Sequence, residues 1–237
     1  MRADQHSPPQ LAPQKRFRRS GFTLVEIMAV MAVIAILLSV AAVGIQNIDR
    51  GQATTSGLAV AEALFDEARS AAVGRGTRAR LLIHNQMNDN DTMDRTRYLG
   101  YMCVAVLKTN QNGNPGNTWE VITRGTQMPS GVYFSIDEST DASKAVGVGE
   151  PGSMSIKLPG SITAKQCYYF EFNAEGVCVD ADRPAQDPGG AVILIGGTRP
   201  RHERDPLMLK NNKVGFVVWR NGRTSLYRSP EQIDKEQ

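Results

Sequence analysis

One apolar run constrains this chain more than anything else in it. From Phe22 to Val43 only Thr23, Glu26 and Ser39 interrupt a continuous stretch of hydrophobic residues. Its 22 residues make a helix of about 33 Å, close to the hydrocarbon thickness of a bilayer. The segment before it is polar, contains Pro8, Pro9 and Pro13, and ends in Lys15-Arg16-Phe17-Arg18-Arg19-Ser20. A basic flank in front of an apolar helix stays on the cytoplasmic side, so the bulk of the chain would be exported. A cleavable secretory signal does not fit, because its apolar region is only about 7–15 residues and ends in a small-residue cleavage site. A plain anchor fits the length but leaves Glu26 unexplained. A carboxylate near one end of a membrane helix costs roughly 2–3 kcal/mol unless it reaches the interface.

The string Gly21-Phe22-Thr23-Leu24-Val25-Glu26, set between a basic leader and the apolar run, resembles the type IV prepilin signature. That signature is shared by type IV pilins and the pseudopilins of type II secretion. The resemblance implies that prepilin peptidase cuts after Gly21 and methylates the new amine of Phe22. Cleavage on the cytoplasmic side would leave the apolar run in the mature protein. Glu26 then becomes the fifth mature residue. In the family such a glutamate pairs with the terminal amine of a neighbouring subunit, offsetting the charge and setting the register of assembly.

Gly44 and Gly51 bracket Ile45-Gln46-Asn47-Ile48-Asp49-Arg50, which predicts a loosening where the helix leaves the bilayer. Beyond it, Leu58, Ala61, Leu64, Phe65, Ala68 and Ala72 recur at helical spacing, with Glu62, Asp66, Glu67 and Arg69 on the other face. This amphipathic half needs a sheet to lie on, and Gly74-Arg75-Gly76 marks its end. Strands are expected over 78–84, 98–107, 119–123, 132–136, 153–157, 168–172, 177–179, 191–195, 214–220 and 223–227. Two hairpins stand out. One turns at Asn173-Ala174-Glu175-Gly176; the other turns at Asn221-Gly222, a pair that favours type I′ geometry. Segments 85–97, 108–117, 137–152 and 181–190 are rich in Asn, Asp, Gly, Ser and Pro and read as loops.

The order of elements carries a second resemblance. Met128-Pro129-Ser130-Gly131-Val132 leading into a strand, Phe172-Asn173-Ala174-Glu175-Gly176, and a terminal strand pair around Asn221-Gly222-Arg223 resemble the GspH/FimT group of minor pilins and pseudopilins. The fold class expected is therefore α+β, with a long N-terminal transmembrane and amphipathic helix packed on an antiparallel β-sheet head. The expected organisation is a leader over 1–21, a transmembrane helix over 22–43, its amphipathic continuation over 44–74 and a periplasmic head over 75–237. The implied function is that of a minor pseudopilin that primes, joins or caps a type II secretion pseudopilus, anchored once in the inner membrane. The alternative is a type IV pilus minor pilin. The implied partners are prepilin peptidase, other pilins or pseudopilins, and the inner membrane, with no small-molecule substrate.

Charge bears on a different partner. The chain is +3 overall, but residues 1–21 carry net +4 from five cations and Asp4, so the remainder is about −1. Whole-chain basicity is thus no argument for nucleic acid. Locally, Arg199, Arg201, Arg204, Lys210, Lys213, Arg220, Arg223 and Arg228 face only Glu203 and Asp205, near Trp219 and Tyr227. Some FimT-like pilins bind DNA through a basic C-terminal segment, which makes Arg220, Arg223 and Arg228 the candidate contacts for DNA or an acidic partner. The recurrent Gly-Arg-x-Arg element of that group falls on Gly222-Arg223-Thr224-Ser225, where Ser225 replaces the second arginine.

No residues support an enzyme. There is no G-x-S-x-G, H-E-x-x-H or Cys-x-x-Cys, and His84 and His202 are isolated. Gly147-Val148-Gly149-Glu150-Pro151-Gly152 matches a dinucleotide fingerprint in letters, but a polar loop precedes it and a strand follows, so it reads as a loop. Asn88-Asp89-Asn90-Asp91-Thr92-Met93-Asp94 is rich in oxygens yet has Met93 and Asp94 where a calcium loop wants a ligand and a glycine. No catalytic residue, metal or cofactor is expected. With Asn173 facing Gly176, Cys178 would lie opposite Glu171 and Cys167 opposite Asp182, which puts a Cys167–Cys178 bridge out of reach. Cys103 could pair with either, and at least one thiol is expected to be buried and free.

Overall fold

The computed structural model describes residues 22–88, 90–109, 115–140, 149–184, 190–199 and 205–233, without the side chains of 40–50, 115, 117 and 210. The leader 1–21 and Gly21 therefore lie outside the described residues. The chain divides into two compact units, 1–45 and 46–237. Helix α1 runs from Leu24 to Arg75. The loosening expected between Gly44 and Gly51 does not occur. A glycine inside a helix costs only about 1 kcal/mol, and the Thr54 and Thr55 hydroxyls both donate to the Gly51 carbonyl at 3.0 Å.

In the first unit every side chain from Phe22 to Ser39 is exposed, most of them large and apolar. Among the described residues no helix is long and apolar enough to cross a membrane. Residues 40–43 of the expected span have no described side chains.

The second unit is α+β, with two antiparallel sheets where one was expected. The first sheet joins β3 (Pro115–Val121), β2 (Tyr101–Thr109), β1 (Ala79–His84), β7 (Ala164–Phe172) and β6 (Gly152–Lys157) in that order; β4 (Thr126–Gln127) adds to β2 and β8 (Cys178–Val179) to β7. The second sheet has the order β11 (Thr224–Tyr227), β10 (Leu207–Val218), β9 (Gly190–Thr198), β5 (Val132–Phe134). Three short helices complete the unit: α2 (Thr92–Arg97), α3 (Ile136–Thr140) and α4 (Pro230–Ile233). The first two fall in segments expected to be loops. Helix α2 starts there because Asp91 caps it, accepting the Met93 and Asp94 N–H groups.

The amphipathic stripe of α1 forms the main core with the inner faces of both sheets. Leu58, Ala61, Leu64, Phe65, Ala68 and Ala72 are all buried. Phe65 sits at the centre, with ring centroids 5.1 Å from Phe170, 6.3 Å from Phe172 and 4.9 Å from Phe216. The outer face of the first sheet carries its own apolar layer around Leu82, Cys103, Cys167 and Tyr169, and that of the second sheet one around Ile193, Val217 and Ile233. Covering both faces explains why Leu81-Leu82-Ile83 and Ala191–Ile195 are continuous apolar runs, not alternating ones. Helix α1 ends in a Schellman motif. Gly76, at φ 59°, donates to Val73 and Thr77 donates to Ala72.

Both hairpins form, with a different turn from the one expected at Asn221-Gly222. Type I′ needs positive φ at both central residues, but only Gly222 has it, at 75°. The Gly222 N–H bonds to the Trp219 carbonyl and the Trp219 N–H to the Arg223 carbonyl, which is a type I turn closed by a glycine bulge. The Asn173 turn repeats this pattern, with Gly176 at φ 74°. The bulge consumes one extra residue, so Cys178 faces Phe172 and Val179 faces Glu171, one place from the expected register. The two turns abut: the Cys178 N–H donates to the Arg220 carbonyl at 2.9 Å, and Arg69 Nε of α1 donates to the Gly176 carbonyl at 3.1 Å.

Candidate functional site

The candidate site begins at the start of α1. Thr23 precedes the first helical residue, and its hydroxyl accepts the Glu26 N–H at 3.2 Å while its carbonyl accepts the Ile27 N–H at 3.2 Å. This is an N-cap, and it gives Thr23 a role that the motif alone leaves unassigned. Thr23 and Glu26 also have the spacing of a capping box, a signal present in the sequence. Glu26 lies in the first turn, where the helix dipole favours a carboxylate by about 0.3–1 kcal/mol. Phe22 is 79% exposed, so the residue that would carry the processed amine is open to solvent. Gly21 lies outside the described residues.

The basic C-terminal run is not one surface. Lys213 is buried and pairs with Glu138 at 3.1 Å. Arg199 turns inward, donating to the carbonyls of Arg95 and Tyr98 and lying 5.2 Å and 5.0 Å from the Tyr98 and Tyr133 rings. Arg220, Arg223 and Arg228 are exposed, the first two at the tip of the β10–β11 hairpin and Arg228 just after β11. Trp219, half exposed beside them, donates its indole N–H to Ser225 at 2.8 Å. Arg201, Arg204 and the Lys210 side chain lie outside the described residues.

Two buried charge clusters have no counterpart in the sequence reading. Arg80, fully buried on β1, sits between the rings of Trp119 and Tyr169 at 3.9 Å and 3.8 Å. It pairs with Glu171 at 2.6 Å and with Asp182, while Arg78 pairs with Glu171 at 2.9 Å. Burial raises the Asp182 pKa, but the Arg80 guanidinium outweighs it and leaves the carboxyl below its ordinary range. A basic residue alternating into an apolar strand, as at Arg78 and Arg80, was the available signal.

The second cluster pins α2 to the sheet. The Lys165 ammonium lies 2.6 Å from Asp94 and 3.1 Å from Asp91, and the buried His84 Nε2 is 3.3 Å from the other Asp94 oxygen. Burial lowers the His84 pKa; Asp94 raises it in part, and Arg97 and Lys165 lower it further. Asp91 and Asp94 are thus held by an internal cation. Asp89, the remaining carboxylate of the oxygen-rich segment 88–94, lies outside the described residues. So do Gly147 and Val148 of the fingerprint-like string. Gly152 opens β6 because the Tyr169 ring packs where a Cβ would stand.

All three cysteines are buried and free. Cys103 pairs across to Leu82, whereas Cys167 lies opposite His84 and Met154. Burial pushes the Cys103 and Cys178 thiols up to about 12, and raises Cys167 as well.

Against this geometry, comparison with known families gives one match. The model described as the prokaryotic N-terminal methylation motif matches residues 16–42. That match supports the class of type IV pilin-like and pseudopilin proteins, and implies processing by prepilin peptidase and assembly with other pilins. Neither a curated protein nor a solved structure matches the chain.

Proposed function

We propose that the chain is a minor pseudopilin of a type II secretion system, a structural subunit that primes, joins or caps the pseudopilus driving export across the outer membrane. The observation that carries this reading is the methylation motif over residues 16–42, which takes in the exposed apolar start of α1. A row of side chains such as Leu24, Ile27, Met31, Ile34 and Leu38 open to water is unfavourable by about 25 cal/mol per Å². It needs lipid before assembly and neighbouring helices after it. In this account Phe22–Val43 crosses the inner membrane once, the leader stays in the cytoplasm and the head stands in the periplasm. Glu26 pairs with the methylated amine of Phe22 on a neighbouring subunit. The chain performs no catalysis of its own.

The second reading is a FimT-like minor pilin of a type IV pilus, favoured by the exposed Arg220, Arg223 and Arg228 beside Trp219. Capture of the tagged full-length chain from crosslinked membranes separates the two. Co-recovery of pseudopilins and a secretion ATPase supports the first. Recovery of a major pilin with a retraction motor, together with salt-sensitive DNA binding lost on charge reversal at Arg220 and Arg223, supports the second. For either reading, Glu26→Ala is expected to be processed yet poorly incorporated, and normal incorporation removes the role given to Glu26.

A further inference from the structure

A cleft of about 970 Å³ opens between α2 and β4. A second cleft of about 320 Å³ shares Thr96 and Gln127 with it. Together they form a groove whose charged lining is mostly arginine: Arg97 and Arg124 on the larger lobe, Arg95 and Arg199 on the smaller. The acidic residue of the larger lobe, Asp91, is engaged by Lys165. We propose that this groove binds an extended acidic segment of a partner protein, with Arg97 and Arg124 making the charged contacts.

The groove is built before any partner arrives. Lys165 ties Asp91 and Asp94, and so the whole of α2, to β7. Tyr101 forms the floor and donates its hydroxyl to the Arg124 carbonyl at 2.5 Å. Gly125, at φ 76°, lets the chain run against that ring, where a Cβ would collide with it. The Arg97 guanidinium stacks on the ring at 4.2 Å and donates to the Pro159 carbonyl at 2.8 Å. Arg124 is exposed and makes no ion pair among the described residues. Walls fixed in this way lower the ordering cost of binding.

The chemistry favours carboxylates over nucleic acid. Guanidinium groups bind carboxylates through paired N–H donors. A single strand of nucleic acid needs open aromatic faces on which bases stack, and Tyr101 is only 4% exposed.

The test uses the full-length chain in detergent and a rhodamine-labelled peptide alternating glutamate and serine, followed by fluorescence anisotropy at about 50 mM salt, where screening is modest. The same peptide with glutamine for glutamate and a short single-stranded oligothymidine are run beside it. Saturable binding of the glutamate peptide is expected, weakened about tenfold or more by Arg124→Glu and unchanged by Arg75→Glu, an exposed cation outside both clefts. Arg124 meets the fold through its backbone carbonyl, and its side chain makes no hydrogen bond or ion pair among the described residues, so its substitution reads the contact; Arg97→Gln should weaken binding in the same direction. Failure of the glutamate peptide to saturate, equal binding of the glutamine peptide, insensitivity to Arg124→Glu, or tighter binding of oligothymidine at the same arginines would overturn the proposal.

Discussion

Substituting Arg80 by Met is predicted to destabilise the head strongly. Arg80 and Glu171 expose 2% and 0% of their side chains and lie 2.6 Å apart. Removing one partner of a buried pair costs about 3–5 kcal/mol, because the other charge is left without compensation. Arg78 still reaches Glu171 at 2.9 Å, which places the loss at the lower end. The cation–π contacts to Trp119 and Tyr169 add about 0.5–2 kcal/mol, part of which the thioether recovers by packing on the same rings. The total is about 3–4 kcal/mol, and in a unit of this size each kcal/mol moves the midpoint by about 2–4 °C. Thermal melts followed by circular dichroism in detergent should therefore show a fall of about 10 °C. Combining Arg80→Met with Glu171→Leu should restore most of it, since removing both charges of a buried pair is often nearly neutral. Asp182, 54% exposed on its side chain, is left solvated in either variant. A single variant within about 1 kcal/mol of the parent, or a double variant no better than the single, would refute this reasoning.

Other outcomes follow from the same geometry. His84 is held below its ordinary range of about 6.5, chiefly by burial, so the unfolded chain binds its proton first as pH falls. Stability should then be full above about pH 6.5 and decline below it until the lowered folded value is passed; His84→Gln should flatten that decline in melts at pH 7.5 and 5.5, and parallel profiles would contradict it. Gly222→Ala should destabilise by about 2 kcal/mol because φ is 75° and a Cβ collides with the Gly176 carbonyl. Gly74→Ala, inside α1 with open space around it, should instead stabilise by up to about 1 kcal/mol, and melts showing the same sign for both would count against the turn assignment. The three buried thiols should resist alkylation at pH 8 in the native protein and react only on unfolding; rapid native labelling, or a disulfide found by mass spectrometry, would contradict the assigned state.

What was legible in the sequence followed from periodicity and from local turn chemistry. The α1 stripe from Leu58 to Ala72 was readable because helical spacing and burial coincide, and each β-rich run from Leu81 to Leu226 fell on a strand. The pairing between runs was not. Which strands share a sheet is decided by long-range contacts, so the division into two sheets around Phe65 left no local mark. The one-residue error at Cys178 has a narrower cause. A glycine bulge after a type I turn adds one residue to the loop, and Asn173 and Asn221 start such turns in the same way as they start tighter ones. Helix α2 was hidden because Asp91, Thr92 and Asp94 favour turns in isolation, and the contacts that tie them to the sheet come from the distant Lys165. At the candidate site, Phe22 and Glu26 were readable from the motif. The Thr23 cap was signalled by its capping-box spacing to Glu26, whereas the inward turn of Arg199 and the burial of Lys213 leave no mark in a run of cations.

The central claim is that the chain is processed at Gly21–Phe22 and assembles through its N-terminal helix. The most direct test is mass spectrometry of the intact protein and its N-terminal peptide, purified from cells with active prepilin peptidase. The account predicts a chain that begins at N-methylated Phe22. A chain still beginning at Met1 in those cells, with the leader intact, would contradict it.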